Sequence, residues 1–237
     1  MQPLNEIVIT VDQDWAPDFA CSSLLQYLQI HKVKATWFIT HDSPFLKELR
    51  RDLNFQIGIH PNFLQGSTQG KNPKSIMDNL KEICPEASAI RTHAMVYSAS
   101  IARMFALYGL LIDSSIYLGG MSGITPYKTN YADGQSITRI PYYWSDDAEL
   151  AHFRWRAFEG IGLKVLCFHP IHFFLNTPDL TYYEGIKKHI DLSDIGMMAL
   201  KLFVNVDRFG VADFLENILN HQDQYRTLLE VINERRS

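Results

Sequence analysis

Short apolar, β-rich runs alternate along the chain with stretches whose apolar residues recur at helical spacing, the pattern of βα units around a parallel sheet. Ile7-Val8-Ile9-Thr10-Val11 reads as the first strand, ending in Asp12-Gln13-Asp14-Trp15-Ala16-Pro17. Phe19, Leu24, Leu25 and Leu28 then mark a helix with Pro17 near its first turn. Ala35 to Ile39 is a second strand, Pro44 to Arg51 a short helix, and Phe55 to Ile59 a third strand ending at His60-Pro61. The polar stretch Asn62 to Asn72 follows as a long loop and a candidate lid. Helices are expected over Pro73–Ile83 and Ser98–Tyr108, and one long amphipathic helix over Val211–Ile232. Strands are expected at Ala87–Ile90, Leu110–Ile112, Ile137–Ile140 and Leu163–Phe168. No repeat, low-complexity tract or linker interrupts the series, so residues 1–237 are expected to form one domain.

Length and composition agree with one α/β barrel: 237 residues, 46% of them hydrophobic, suffice for one sizeable core. A formal charge of −4 without any Lys/Arg block argues against nucleic acid as a partner. Cys21, Cys84 and Cys167 are widely spaced and lack a CxxC pair, so they read as reduced, packed thiols of a cytosolic protein. The opening Met1-Gln2-Pro3-Leu4-Asn5-Glu6 has no basic stretch leading into an apolar one, and no run is long enough to span a membrane.

The chemistry-bearing residues fall where predicted strands end: Asp12 and Asp14, His60, Arg91 and His93, Asp113, then His169 and His172. In a barrel of parallel strands those ends share one rim, which is where active sites form. His31, His152, His189 and His221 lie away from strand ends, and the neighbours of His41 suit a helix-entry loop. Two carboxylates at i and i+2 repel unless a cation lies near; one would then ligate it while the other takes a proton, although an Asp there also suits a helix cap. An Asp with two neutral imidazoles from His60 and His93 suits Zn²⁺ and other borderline divalent ions with open positions for water and substrate. Arg91 would orient a carboxylate such as Asp12 through a bidentate pair. Of His169 and His172, one would serve as general acid, and the other would ligate the metal or hold the loop.

Read in order, these segments resemble the polysaccharide deacetylase superfamily, which includes chitooligosaccharide and peptidoglycan deacetylases, over roughly residues 5 to 175. Its Thr-Phe-Asp-Asp motif is matched by Thr10-Val11-Asp12-Gln13-Asp14, and Ala35-Thr36-Trp37-Phe38 looks like its Ala-Thr-Phe-Phe strand. The resemblance makes Asp12 the catalytic base and Asp14, displaced by one position, a metal ligand. Its His-Ser/Thr-x-x-His motif is half present: His60 matches, and Leu64 stands where the second histidine would be. Arg-x-Pro-Phe/Tyr is matched at Arg91 with His93 in place of proline, which supplies the missing imidazole on this reading, with Asn62 or His172 as fallbacks. Leu166-Cys167-Phe168-His169 is similar to Leu-x-Leu-His and would make His169 the general acid. The segments Gly58 to Leu64, Arg91-Thr92-His93 and Phe168 to His172 look like a bacterial subgroup associated with surface polysaccharide, including O-antigen, biosynthesis.

The resemblance implies a distorted seven-stranded (β/α) barrel, TIM-barrel-like, and removal of an N-acyl, first of all N-acetyl, group from a sugar, sugar nucleotide or glycan. Asp12, Arg91 and His169 form the expected catalytic set; Asp14, His60 and His93 form the expected metal set, with Zn²⁺ first among the candidates. Trp15, Phe63, Tyr142, Tyr143 and Trp144 would stack on sugar faces or pack under loops. Asp113, Asp146 and Asp147 would bind hydroxyls or tune His169. Deformylation or hydrolysis of another amide is the rival reaction, and a carbohydrate-binding domain without metal is the rival of another kind.

Overall fold

The computed structural model describes residues 5–149, 161–192, 195–222 and 224–234. Met1 to Leu4, on which the expectation for the N-terminus rests, and His152 lie outside them. The sequence pattern is realised as a curled sheet of nine strands: β1 (Asn5–Asp12), β2 (Ala35–Ile39), β3 (Phe55–Ile59), β4 (Ala89–Ile90), β5 (Ile112–Asp113), β6 (Tyr127–Asn130), β7 (Ser136–Arg139), β8 (Trp144–Ser145) and β9 (Gly162–Phe168). Their order is β6-β7-β5-β4-β3-β2-β1-β9-β8, and every pairing is parallel except β6 with β7.

The expected count was seven strands, and two short elements account for the difference. β6 is a largely exposed antiparallel flap laid on β7, too polar to be legible as a strand. β8 is two residues long and continues the run that began at β7. That run binds opposite ends of the strand order: β7 pairs with β5, and a few residues later β8 pairs with β9. The sheet therefore curls back toward itself.

Strand alternation sorts the side chains into two layers. On β1, Ile7, Ile9 and Val11 join the larger core cluster with Leu24 and Leu28 of helix α1 (Asp18–Ile30) and with Trp37 and Phe45. Val8 faces the concave side with Phe38, Ala89, Val165 and Cys167. Gly58 is required there: a Cβ would stand 2.7 Å from the Phe38 ring and 2.9 Å from the Ala89 carbonyl oxygen.

The expected helix over Val211–Ile232 is two helices in the structure, and Gln222 and Thr227 explain the break. Gln222 accepts from the Ile7 N–H and donates to the Ile7 carbonyl at the start of β1, pulling the chain out of helical conformation. Thr227 then caps a new helix reciprocally with Glu230. In the numbering of chain order the remaining helices are α2 (Pro44–Leu49), α3 (Pro73–Ile83), α4 (Ala99–Leu107), α5 (Asp146–Glu149), α6 (Pro170–Leu175), α7 (Leu180–Lys187), α8 (Met197–Leu200), α9 (Val211–Leu219) and α10 (Leu228–Asn233). Leu228, Val231 and Ile232 of α10 join the concave cluster, and the Leu228 N–H is bound to Thr36 Oγ1 at the start of β2. Helix α10 thus closes the amino-terminal end of the sheet and leaves the carboxyl-terminal end for the site. No helix among the described residues is long and apolar enough to cross a membrane.

Candidate active site

The strand ends do converge. Asp14 Oδ1 lies 2.9 Å from His93 Nδ1 and 3.1 Å from His60 Nε2, and Asp14 Oδ2 lies 3.4 Å from His169 Nε2. Asp12 Oδ2 is 3.8 Å from the same His60 Nε2. All six residues of the expected catalytic and metal sets line one cavity of about 190 Å³.

Each approach has a local cause. Gln13, between the two carboxylates, is fully buried, and its side-chain oxygen accepts from the Thr40 N–H and hydroxyl at the end of β2. With Gln13 turned into the protein and Asp14 (φ 44°) and Trp15 (φ 55°) in left-handed conformation, the chain reverses and Asp14 faces the cavity beside Asp12. The ladder between β2 and β3 extends one step past the strands, where the His60 N–H donates to the Ile39 carbonyl. His93 is held through its N–H on the Pro61 carbonyl, and Ala94 and Met95 after it are also left-handed. Ser115 carries the Thr92 N–H, and Asp113 in turn carries the Ser115 N–H.

Arg91 is buried on the concave side, with its guanidinium between the rings of Phe38 (4.5 Å) and Tyr142 (4.6 Å). The bidentate pair with Asp12 that the sequence led us to expect is not formed. Nη1 alone donates to Asp12 Oδ1 at 2.9 Å and also to Thr10 Oγ1, while Nε and Nη2 donate to the Ser114 carbonyl and hydroxyl. Five N–H groups on one planar fork allow this sharing, which locks Asp12 to two other strands at once.

His169 follows the last residue of β9, and α6 begins at Pro170, so the strand-terminal segment expected from His169 to His172 is a helix start. Asp146 binds His169 through Nδ1 (2.5 Å) and through the backbone N–H (2.8 Å), which leaves Nε2 toward Asp14. Burial would lower the His169 pKa, but the charge of Asp146 and the bonds to Asp14 and Asp146 hold it well above the ordinary value. Burial would likewise raise Asp14, yet hydrogen bonds from His169, His60 and His93 keep it well below the usual carboxylate range.

Several expected residues lie elsewhere or do other work. His172 is buried against Thr177 and the ring of Tyr183, and burial lowers its pKa. Asn62 uses its side-chain oxygen on the Leu64 N–H. Neither belongs to the cluster around Asp14. The 62–72 loop is pinned by Gln69, which donates to the Thr40 and His60 carbonyls and accepts from the Asn62 N–H, so its ends are tied to the site. Phe63 stacks on Phe105, Trp144 packs on Phe168 and Phe214, and Tyr143 is buried in the core. Of the five aromatic residues, Tyr142 borders the cavity and Trp15 borders a larger one that also adjoins Asp14. Asp113 is buried in a 2.5 Å pair with Arg139, whereas Asp147 lines the cavity, hydrogen-bonded to Ser145.

The donor set fits a divalent cation. One carboxylate oxygen of Asp14 and one nitrogen each of His60 and His93 lie within 4.8 Å of one another, with both imidazoles turned to the same oxygen. His60 Nδ1 is buried without a hydrogen-bond partner among the described residues, so the ring is held through Nε2 on Asp14 and by edge-on packing against His93 at 5.5 Å.

The WbmS-like polysaccharide deacetylase profile matches residues 9–187, a stretch that contains every one of these groups. The chain belongs to the polysaccharide deacetylase family. It is similar over 92% of its length to a solved structure from Bordetella bronchiseptica assigned as a polysaccharide deacetylase involved in O-antigen biosynthesis, at 30% identity and TM-score 0.81, covering 91% of that protein. A structure assigned as a polysaccharide deacetylase from Mycobacterium smegmatis shares the fold at 16% identity and TM-score 0.60, with 97% of this chain and 88% of that one covered. A search of curated proteins returned no match. The deacetylase family membership supports hydrolysis of an acyl group from carbohydrate as the class of reaction.

Proposed function

We propose that residues 1–237 act as one metal-dependent catalytic domain that removes an N-acetyl group from a sugar used in bacterial surface polysaccharide. The observation that carries this reading is the Asp14 carboxylate facing three imidazoles, with Asp12 beside them on an arginine. Asp14, His60 and His93 would hold the divalent ion, Zn²⁺ first among candidates by donor type, and that ion would polarise the acyl oxygen and a water. Asp12, kept in place by Arg91, takes a proton from the attacking water as oxygen bonds to the acyl carbon. The carbon–nitrogen bond then breaks as His169 Nε2 gives its proton to the departing amine, and acetate and the free amino sugar leave. Asp146 keeps His169 in the orientation this requires. Three buried, unpaired cysteines support a reducing, cytoplasmic setting, and the B. bronchiseptica likeness supports O-antigen biosynthesis as the use.

The test is acetate release from N-acetylated sugars, sugar nucleotides and glycans by metal-loaded protein, compared with Asp12→Asn and His169→Gln. Turnover that survives both substitutions would remove Asp12 and His169 from the reaction. Release of formate in place of acetate would reassign the acyl group.

A further inference from the structure

A second cavity, of about 600 Å³, lies between the Asp14–Pro17 loop and α7 and shares Asp14 with the reaction cavity. This volume is within the roughly 300–1,000 Å³ typical of small-molecule sites. Its walls are of two kinds. Near Asp14 they are flat and apolar: Trp15, Pro17, Ile171 and Tyr183. Beside Tyr183 they carry the exposed cations Lys187, whose Nζ lies 5.3 Å from the ring centre, and Lys188, followed by His189, in a chain whose net charge is −4.

We propose that this cavity receives the anionic part of the substrate, and that the sugar is presented as a glycosyl diphosphate. This deepens the deacetylase reading and rests on it. In a 2-acylamido sugar the anomeric carbon adjoins the carbon that bears nitrogen. A phosphate on the anomeric oxygen must therefore leave the reaction cavity at once, and the joint at Asp14 provides that exit. Lys188 has no carboxylate within 4 Å among the described residues. Lys187 pairs with Glu184 (3.2 Å), an exposed pair that a phosphate can displace, and lies over the Tyr183 ring. Asp191, on the same wall, already has a partner within the protein. Cations also offset the dipole at a helix carboxyl end, which accounts for Lys187 in the last turn of α7. It does not account for a cavity that runs from these lysines to Asp14. The Trp15 and Tyr183 faces would hold what lies next to the phosphates, either a nucleoside base or the first units of a prenyl chain.

The experiment has a binding arm and a turnover arm, both on the metal-loaded full chain. Calorimetry with UDP and with farnesyl diphosphate is run on wild type, Lys187→Glu/Lys188→Glu and the milder Lys187→Gln/Lys188→Gln. At least one probe binds wild type and loses about tenfold or more in affinity in the Glu variant, the scale of reversing a charge opposite phosphate. Which probe binds tells a nucleotide from a lipid carrier. In the turnover arm, acetate release is compared between UDP-linked and free forms of N-acetylglucosamine, N-acetylgalactosamine and N-acetylmannosamine. The ratio of kcat/KM for linked over free sugar exceeds one and falls in the Lys variants. Absence of binding by both probes, or binding indifferent to Lys187 and Lys188, overturns the subsite even if an unphosphorylated glycan is deacetylated. Lysine-dependent binding with no acetate released from any sugar or glycan keeps the subsite and defeats the deacetylase reading.

Discussion

Asp146 holds His169 at two points, the ring Nδ1 at 2.5 Å and the backbone N–H at 2.8 Å, so one carboxylate sets both where the imidazole sits and which nitrogen faces Asp14. Substituting asparagine keeps the shape and removes the charge.

Asp146→Asn is expected to lower kcat by at least about tenfold, and by less than the roughly 10²–10⁴ expected for loss of the general acid itself. In a His169→Gln background the same substitution should add little, because the two groups act as one unit. Measuring kcat for both single variants and the double variant checks this. Additive losses would mean that Asp146 serves the fold rather than His169.

Asp14→Ala, His60→Ala and His93→Ala should each lose bound metal, while His172→Ala and Asn62→Ala should retain it. Elemental analysis after dialysis separates the two groups. Chelation should also lower the Tm, since a ligand at 100 times its Kd stabilises the native state by about 2.7 kcal/mol. An unchanged Tm on chelation together with full metal content in His93→Ala would remove His93 from the ligand set.

Arg91→Met leaves the buried Asp12 carboxylate without its cation, and destabilisation of about 3–5 kcal/mol is expected for breaking such a pair. Adding Asp12→Asn should recover part of that loss. Urea unfolding of the two single variants and the double variant gives the coupling. Arg91→Lys should rescue little, because one ammonium cannot reproduce bonds to Thr10, Asp12 and Ser114 together.

Glu230 gives a pH test away from the site. Burial would raise its pKa, but the Lys34 ammonium and the Thr227 N–H hold it below the usual glutamate value. A depressed carboxyl stabilises the fold above its unfolded pKa, and that contribution is lost as pH falls through the folded value. Glu230→Gln keeps the capping geometry, so its cost should be under about 1 kcal/mol at pH 7, in keeping with a half-exposed pair. That cost should vanish toward pH 3. Urea midpoints at the two pH values decide, and a cost that grows on acidification would contradict the assigned direction.

Much of this was legible in the chain because it is local. Apolar runs bounded by polar residues located β1, β2, β3 and β9, and stretches of helical period located α2, α3 and α4. The same logic placed Asp12, His60, Arg91 and His169 at strand ends, and the motif spacing singled out His93. Where local signals were short or absent, the reading failed. β8 is two residues long, so Asp146, expected among the residues that could tune His169, was not placed at a strand end, and the break in the last helix depends on a contact between Gln222 and Ile7 far away in sequence.

The sequence by itself determined which side chains stand at the carboxyl ends of the strands, since alternation and strand length are properties of a single segment. Only the tertiary structure decided that Asp14 faces His60, His93 and His169 while His172 turns to Thr177. It also decided that Arg91, at the end of β4, divides its fork between β1 and the end of β5. Those outcomes follow from the curl of the sheet, the turn of Gln13 into the protein and the left-handed step at Asp14, which depend on packing between segments remote in the chain.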